Sequence, residues 1–329
     1  MLRSLAPWAG IALVLALGWS AWYAYTPTGR GPFPVEVHIE PGSAFKTVAD
    51  QLHALGVVDH PLAFTLLGRL TGQATQVKAG SYLFEAAVPP TELLRKLTQG
   101  EFLLGRITFI EGWTFRQMRA AIDRHPRLRH DTAGLSEAAL LAELGIEASH
   151  PEGLFFPDTY YFDIGSSDKA LYLRAHRAMQ QVLQQAWEAR AEGLPYRTPY
   201  EVLIMASIIE KETAVAEERP LIAAVFVNRL RLGMRLQTDP TVIYGMGERF
   251  DGNLRKVDLA SDTPYNTYTR AGLPPTPIAL PGAASIRAAV NPEMSRALYF
   301  VSKGDGRHHF SETLDEHNRA VAHYQRNQP

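Results

Sequence analysis

The chain of 329 residues contains no cysteine. Disulfides, thiolate nucleophiles and cysteine-ligated metals are therefore excluded. Neither sign of charge is in excess, since 33 Lys and Arg face 34 Asp and Glu for a net charge of −1. No global attraction to nucleic acid follows. No G-x-S-x-G elbow, Walker loop or H-E-x-x-H pair is present, which removes three common routes to hydrolysis and phosphate chemistry. Gly245-Met246-Gly247 reads only as a turn. His308, His309, His317 and His323 gather near the C-terminus. Adjacent histidines on a strand point to opposite faces, so no metal centre is expected there. No internal repeat or low-complexity segment occurs.

What is there begins with a run free of charge, Ser4 to Gly29, between Arg3 and Arg30. Its core, Leu5 to Tyr25, is long enough to span a bilayer, which takes about 20 apolar residues. Trp19, Trp22, Tyr23 and Tyr25 crowd its far end as an interfacial belt would. A cleaved signal peptide would end in small residues, whereas this run ends in bulky rings. The expectation is a single-pass transmembrane signal anchor. By the positive-inside rule Arg3 is expected on the cytoplasmic side of the inner membrane and the bulk of the chain outside the cytoplasm.

Past a Gly- and Pro-rich linker, the pattern predicts an α+β protein. A short strand at Val35 to Ile39 is followed by a helix opened by Pro41-Gly42-Ser43, with Phe45, Val48, Leu52 and Leu55 on one face and Gly56 as its stop. A second helix from about Pro61 to Leu70 and a strand at Gly80 to Phe84 come next. A third helix ends at Gly100. Phe102 to Ile110 looks strand-like, and Thr114 to Ile122 and Ser136 to Leu144 look helical. Glu152 to Tyr160 is aromatic and turn-rich. Ala170 to Gly193 and Glu217 to Leu232 read as helices. Met234 to Pro281 is of low regularity, and so long a loop inside a compact domain is usually functional. A hairpin around Lys303-Gly304-Asp305-Gly306 and a final helix from Leu314 to Tyr324 close the chain. The expected division is anchor and linker over residues 1–29, a small module over 30–101, a connecting region over 102–150 and a larger domain over 151–329.

The most informative stretch is Met205-Ala206-Ser207-Ile208-Ile209-Glu210-Lys211-Glu212-Thr213. Thr198-Pro199-Tyr200-Glu201 has the form of a capping box with proline at the first helical position. The run from Val202 to Ile209 is apolar except for Ser207, so the helix is expected to be central. Glu210 and Glu212 then lie roughly 160° apart on the helical wheel, and at most one points into any one cleft. The negative end of the helix dipole and desolvation both raise a carboxyl pKa there, as a general acid needs. Two glutamates flanking a lysine also describe an ordinary solvated helix end. The neighbouring loop, with its Tyr, Asn, Gln and Thr, suits a carbohydrate. A glycoside hydrolase usually needs a second carboxylate, for which Asp239 and Asp158 are candidates.

Several ordered segments resemble one family. Glu210-Lys211-Glu212-Thr213-Ala214, Phe226-Val227-Asn228-Arg229-Leu230, Leu236-Gln237-Thr238-Asp239-Pro240-Thr241, Tyr265-Asn266-Thr267-Tyr268, Gly272-Leu273-Pro274-Pro275 with Ile278, and Glu152 to Tyr160 are similar to the signatures of the YceG-like family, the membrane-anchored endolytic murein transglycosylases. The resemblance covers essentially the whole chain. It implies that the module near Val35 to Phe84 is LysM-like. It also implies cleavage of the MurNAc–GlcNAc bond without water or cofactor, leaving 1,6-anhydroMurNAc ends. One carboxyl serves as acid and then base, so no second catalytic carboxylate is required. The acid of such enzymes stands before Ser or Thr, which here is Glu212. Glu210 would face away, paired with Arg229 or Arg231. Gln237, Thr238, Asp239, Tyr265, Asn266 and Tyr268 would line the cleft, with Tyr265 or Asn266 on the N-acetyl groups. The resemblance implies action on nascent glycan strands as a terminator of elongation, and peptidoglycan synthases are plausible partners. The alternatives are a non-catalytic peptidoglycan-binding scaffold and a water-using glycosidase.

Overall fold

The computed structural model describes residues 6–326. Arg3 to Leu5, the start of the expected anchor, lie outside the described residues. The chain forms two compact units, the first running to Arg106 and including Tyr161–Ser166, the second comprising Ile107–Tyr160 and the residues from Ser167 onward.

In the first unit, α1 (Ala6–Tyr25) is followed by β1 (Val35–Ile39), α2 (Phe45–Ala54), α3 (Pro61–Leu70), β2 (Gly80–Phe84) and α4 (Pro90–Gln99). Strands β1 and β2 pair antiparallel, with Val35 opposite Phe84 and Val37 opposite Tyr82. Alternation sends Val37 and Ile39 inward, where they meet Val48 and Leu52 of α2, Phe64 of α3 and Leu93, Leu94 and Leu97 of α4. Each large apolar side chain so buried contributes about 1.5–3 kcal/mol. Tyr82 is buried in this core, and its hydroxyl donates to the carbonyls of Lys78 at 2.7 Å and Leu97 at 3.1 Å. On α1, the rings of Trp19 and Tyr23 stack at 5.6 Å, and the Tyr23 hydroxyl donates to the His60 carbonyl. Among the described residues no helix is long and apolar enough to cross a membrane.

Strand β3 (Leu104–Thr108) leads toward the second unit, which contains α5 (Phe115–Asp123) and α6 (Glu137–Glu143). The aromatic segment from Glu152 is turn-rich up to Asp158, as expected. The strand that follows it, β4 (Thr159–Asp163), was not expected, and it pairs with β3. Its alternation is plain in hindsight, since Tyr160 and Phe162 are buried while Tyr161 is exposed. Next come α7 (Asp168–Glu188), α8 (Pro199–Glu212), α9 (Arg219–Arg231), α10 (Asp239–Met246), α11 (Lys256–Ala260) and α12 (Ala283–Val290). The hairpin of β5 (Tyr299–Ser302) and β6 (His308–Ser311) and helix α13 (Leu314–Val321) complete it.

Helix α8 is the centre of this unit. Every residue from Val202 to Ile209 is buried, and α7, α9, α10 and α12 pack around it. Ser207, the polar residue in the run, donates to the Ile204 carbonyl at 2.7 Å and accepts from the Ile278 N–H at 3.0 Å. It costs little to bury because both its capacities are used. Thr198 caps the helix by accepting from the Glu201 N–H. The return half of the expected capping box is missing, because the Glu201 carboxylate accepts instead from the Arg197 N–H and guanidinium. The stretch expected to be irregular holds α10 and α11. Helix α10 starts where Pro240 and the acidic Asp239 occupy its first turn, a favourable N-terminal composition.

Candidate active site

Helix α8 sends its two terminal glutamates to different places. Glu210 turns inward. Its Oε2 accepts from the Gly282 N–H at 2.9 Å, and its Oε1 lies 3.5 Å from an Arg219 guanidinium nitrogen. Only 6% of the Glu210 side chain and 12% of the Arg219 side chain are exposed. Arg219 therefore takes the role expected of Arg229 or Arg231. A Cβ at Gly282 would come within 1.8 Å of Glu111 Oε1, so the Glu111 carboxylate lies against the Gly282 backbone. Burial raises the Glu111 pKa, and the nearby Glu210 charge raises it further. This cluster holds α8 to the start of α12 and is spent on structure.

Glu212 opens on a cavity of about 570 Å³ shared with Arg229, Gln237, Asp239, Tyr268, Tyr299 and His308. The Thr238 hydroxyl donates to Glu212 Oε1. Burial pushes the Glu212 carboxyl up to about 7. The Thr238 hydrogen bond opposes this, and the charge of Asp239 adds to it. A carboxyl titrating near neutrality can give a proton and take one back.

The segment from Leu236 to Thr241 positions the rest. The Thr238 N–H donates to Thr267 Oγ1 at 3.1 Å, and the Thr241 hydroxyl donates to the Thr238 carbonyl at 2.8 Å. Gln237 holds a φ of +53°, a left-handed conformation that non-glycine residues seldom adopt. Such strain persists where surroundings over-determine it. Here the Gln237 N–H donates to the Thr267 carbonyl, and its Oε1 accepts from Arg229 at 3.2 Å. Arg229 is buried and also donates to the carbonyls of Leu298, Arg235 and Leu236. Asp239 Oδ1 accepts from the Tyr268 hydroxyl at 2.5 Å. Burial and that carboxylate together raise the Tyr268 pKa.

Three of the residues expected to line the cleft do not. Thr238 is buried and reaches the site only through its hydrogen bond to Glu212, and Asn266 and Tyr265 are placed elsewhere. Asn266 is fully buried. Its amide donates to the carbonyls of Asp258, Leu259 and Ser261, and its Oδ1 accepts from the Tyr268 N–H at 2.8 Å. With its amide so committed it organises the loop that carries Tyr268. Tyr265 shares a hydrogen bond with Thr276 at 2.9 Å and packs edge-on against Tyr244 at 4.9 Å. Of the two candidate second carboxylates, Asp239 lies in the cavity, whereas Asp158 is exposed and accepts from the Thr159 N–H.

Glu152 is a further buried carboxyl. It accepts from the Phe115 N–H at 2.9 Å and the Tyr244 hydroxyl at 3.0 Å, tying the start of α5 to α10. Burial pushes it up to about 7, but both its oxygens serve these ties. The residues that sequence reasoning missed are Arg229, Tyr299, His308 and His317, which form the wall built by α9, the β5–β6 hairpin and α13. Among the described residues no group of His, Asp and Glu is arranged to hold a metal ion.

Comparison with known proteins gives a consistent result. The sequence profile of the YceG-like family matches residues 37–323. The "Endolytic murein transglycosylase" of Bacillus subtilis (strain 168) is 33% identical over 307 residues, covering 88% of this chain and 84% of that protein. The protein of the same name from Streptococcus pneumoniae serotype 2 (strain D39 / NCTC 7466) is 29% identical, and the match covers 88% of this chain but 58% of that longer protein. The crystal structure of a yceG-like protein from Listeria monocytogenes superposes with a TM-score of 0.54 at 30% identity, covering 87% of this chain and 98% of the other.

Proposed function

This chain belongs to the YceG-like family, and from that premise we propose that it is an endolytic peptidoglycan lytic transglycosylase whose acid is Glu212. The observation that carries the reading is the Glu212 carboxyl, brought to about 7 by burial, held by Thr238 and open to the cavity. The protonated carboxyl gives its proton to the oxygen of the MurNAc–GlcNAc bond. The bond from that oxygen to C1 of MurNAc breaks, and GlcNAc leaves with a free hydroxyl. The Glu212 carboxylate then takes the proton of the MurNAc C6 hydroxyl as O6 bonds to C1. A 1,6-anhydro ring forms, no water is consumed, and Glu212 ends protonated as it began.

In this reading Gln237, Thr238, Asp239 and Tyr268 face or frame the glycan, and Asn266 acts through Tyr268. No metal or cofactor takes part. The charge-free N-terminal run with its aromatic end supports an association with the membrane, although α1, which makes up most of it, is not long and apolar enough to span a bilayer. The βααβ order of the first unit supports a LysM-like module held near the membrane, acting on nascent strands beside the synthases that extend them.

The test is mass spectrometry of peptidoglycan incubated with the full-length protein, wild type beside Glu212→Gln. AnhydroMurNAc ends are expected from the wild type alone. Reducing MurNAc ends would replace the reading with a water-using glycosidase, for which Asp239 is the available second carboxylate. No new ends in either sample would leave a peptidoglycan-binding scaffold.

A further inference from the structure

In sequence His308 is half of an adjacent histidine pair. In the structure it is tied to one carboxylate at two points. Its Nδ1 lies 2.8 Å from Glu218 Oε2, and its backbone N–H donates to Glu218 Oε1 at 2.9 Å. The two side chains are 13% and 11% exposed. The edges and faces of Phe300, at 5.3 Å and 85°, and Phe310, at 6.4 Å and 62°, fix the ring plane. Nδ1–H donates to the carboxylate, which so sets the tautomer and leaves Nε2 as the ring's other polar atom. That ring lies on the wall of the cavity that holds Glu212.

A bolt between Glu218 and β6 would need only the backbone N–H of residue 308. It does not call for an imidazole on the cavity wall with its tautomer set from behind. An imidazole held in a fixed orientation on a cavity wall is how proteins place a hydrogen-bonding group for a ligand.

We propose that His308 contacts the glycan in the same cleft as Glu212, its Nε2 accepting a hydrogen bond from a hydroxyl or acetamido N–H of an N-acetylated amino sugar, and that Glu218 is the positioning residue that fixes the ring. The inference rests on the reading of this cavity as a glycan cleft. It adds a wall, carried by the hairpin and by the turn after α8, to a site otherwise framed by the Leu236 to Tyr268 region.

The experiment is calorimetric titration of the full-length protein with chitohexaose, run on wild type, His308→Ala, His308→Gln, Glu218→Gln and the double variant Glu218→Gln with His308→Ala. Loss of one ligand hydrogen bond should weaken binding about tenfold in His308→Ala. Glutamine sets a polar atom near the position of Nε2, so His308→Gln should stay within about threefold of wild type. Glu218→Gln should weaken binding as His308→Ala does, and the double variant should be no worse than either, because both act through one contact. A purely structural pair would lower the melting temperature and leave glycan affinity where it was. Wild-type affinity in His308→Ala, or no measurable binding by the wild type, overturns the proposal. If His308→Ala unfolds, His308→Gln decides: affinity near wild type supports the contact, and affinity lost in a folded protein overturns it. Peptidoglycan digestion separates the two readings. AnhydroMurNAc ends with His308-independent binding sink this inference alone. His308-dependent binding without such ends sinks the transglycosylase reading alone.

Discussion

Replacing Glu212 by glutamine should make the protein more stable as the pH rises, even as it removes the acid. Burial lifts the carboxyl from 4.5 to about 7. The unfolded chain therefore releases this proton near pH 4.5, while the folded chain holds it to about pH 7. Between those values the folded state binds more protons than the unfolded one, so stability falls with rising pH. The contribution is fully present below the unfolded value and is lost as pH passes through the folded one. At about 1.4 kcal/mol per pH unit, the loss amounts to about 3 kcal/mol. Glutamine cannot titrate, and its Oε1 still accepts from Thr238. Wild type and variant should thus have similar stability near pH 4, with the variant ahead by about 3 kcal/mol near pH 8. Glu152 also titrates near neutrality, but it is present in both proteins and cancels. Urea denaturation of both proteins across this range measures the difference. A wild-type-minus-variant difference that does not move with pH would refute the argument that burial holds the proton on Glu212. Cleavage by the same variant should fall by about 10²–10⁴-fold, the usual worth of a general acid.

Glu210→Gln should keep near-wild-type cleavage yet lower stability by about 1–3 kcal/mol, because Arg219 loses its carboxylate partner in a buried setting; lost cleavage with unchanged stability would reverse the roles of the two glutamates. Gly282→Ala should change stability by about 0.5 kcal/mol or less, since the new methyl meets only the far end of the exposed Glu111 side chain, which can swing aside, and thermal unfolding measures it; a much larger loss would mean that Glu111 is held in place. Asn266→Ala should lower both stability and cleavage, by about 1–3 kcal/mol in the first, because the amide-to-carbonyl hydrogen bonds are lost and Tyr268 loses its anchor; reduced cleavage with wild-type stability would instead place Asn266 on the substrate.

The parts of the site that were legible in the sequence are those set by local geometry. Helix α8 announces itself by Thr198 and Pro199 at its start and by an apolar run too complete for a surface helix. The same helical geometry separates Glu210 from Glu212, and the structure sends them to different surroundings. What each glutamate meets is a tertiary matter. Nothing near Glu210 in sequence marks Arg219 over Arg229 or Arg231, since all three lie on the next helix. Polar loops are ambiguous for a related reason. The Asn266 amide reads the same in sequence whether it faces a sugar or its own backbone, and here the backbone wins because a buried turn must satisfy its carbonyls. Helix α10 was within reach, because Thr238-Asp239-Pro240 has the form of a helix start, but the surrounding Gly and Pro hid it. The β6 wall was hidden differently. Adjacent histidines raise the question of a metal, and the alternation that rejects the metal also sends His308 and His309 to opposite faces. The face that carries His308 meets Glu218 and the cavity, a tertiary arrangement that the alternation alone does not specify.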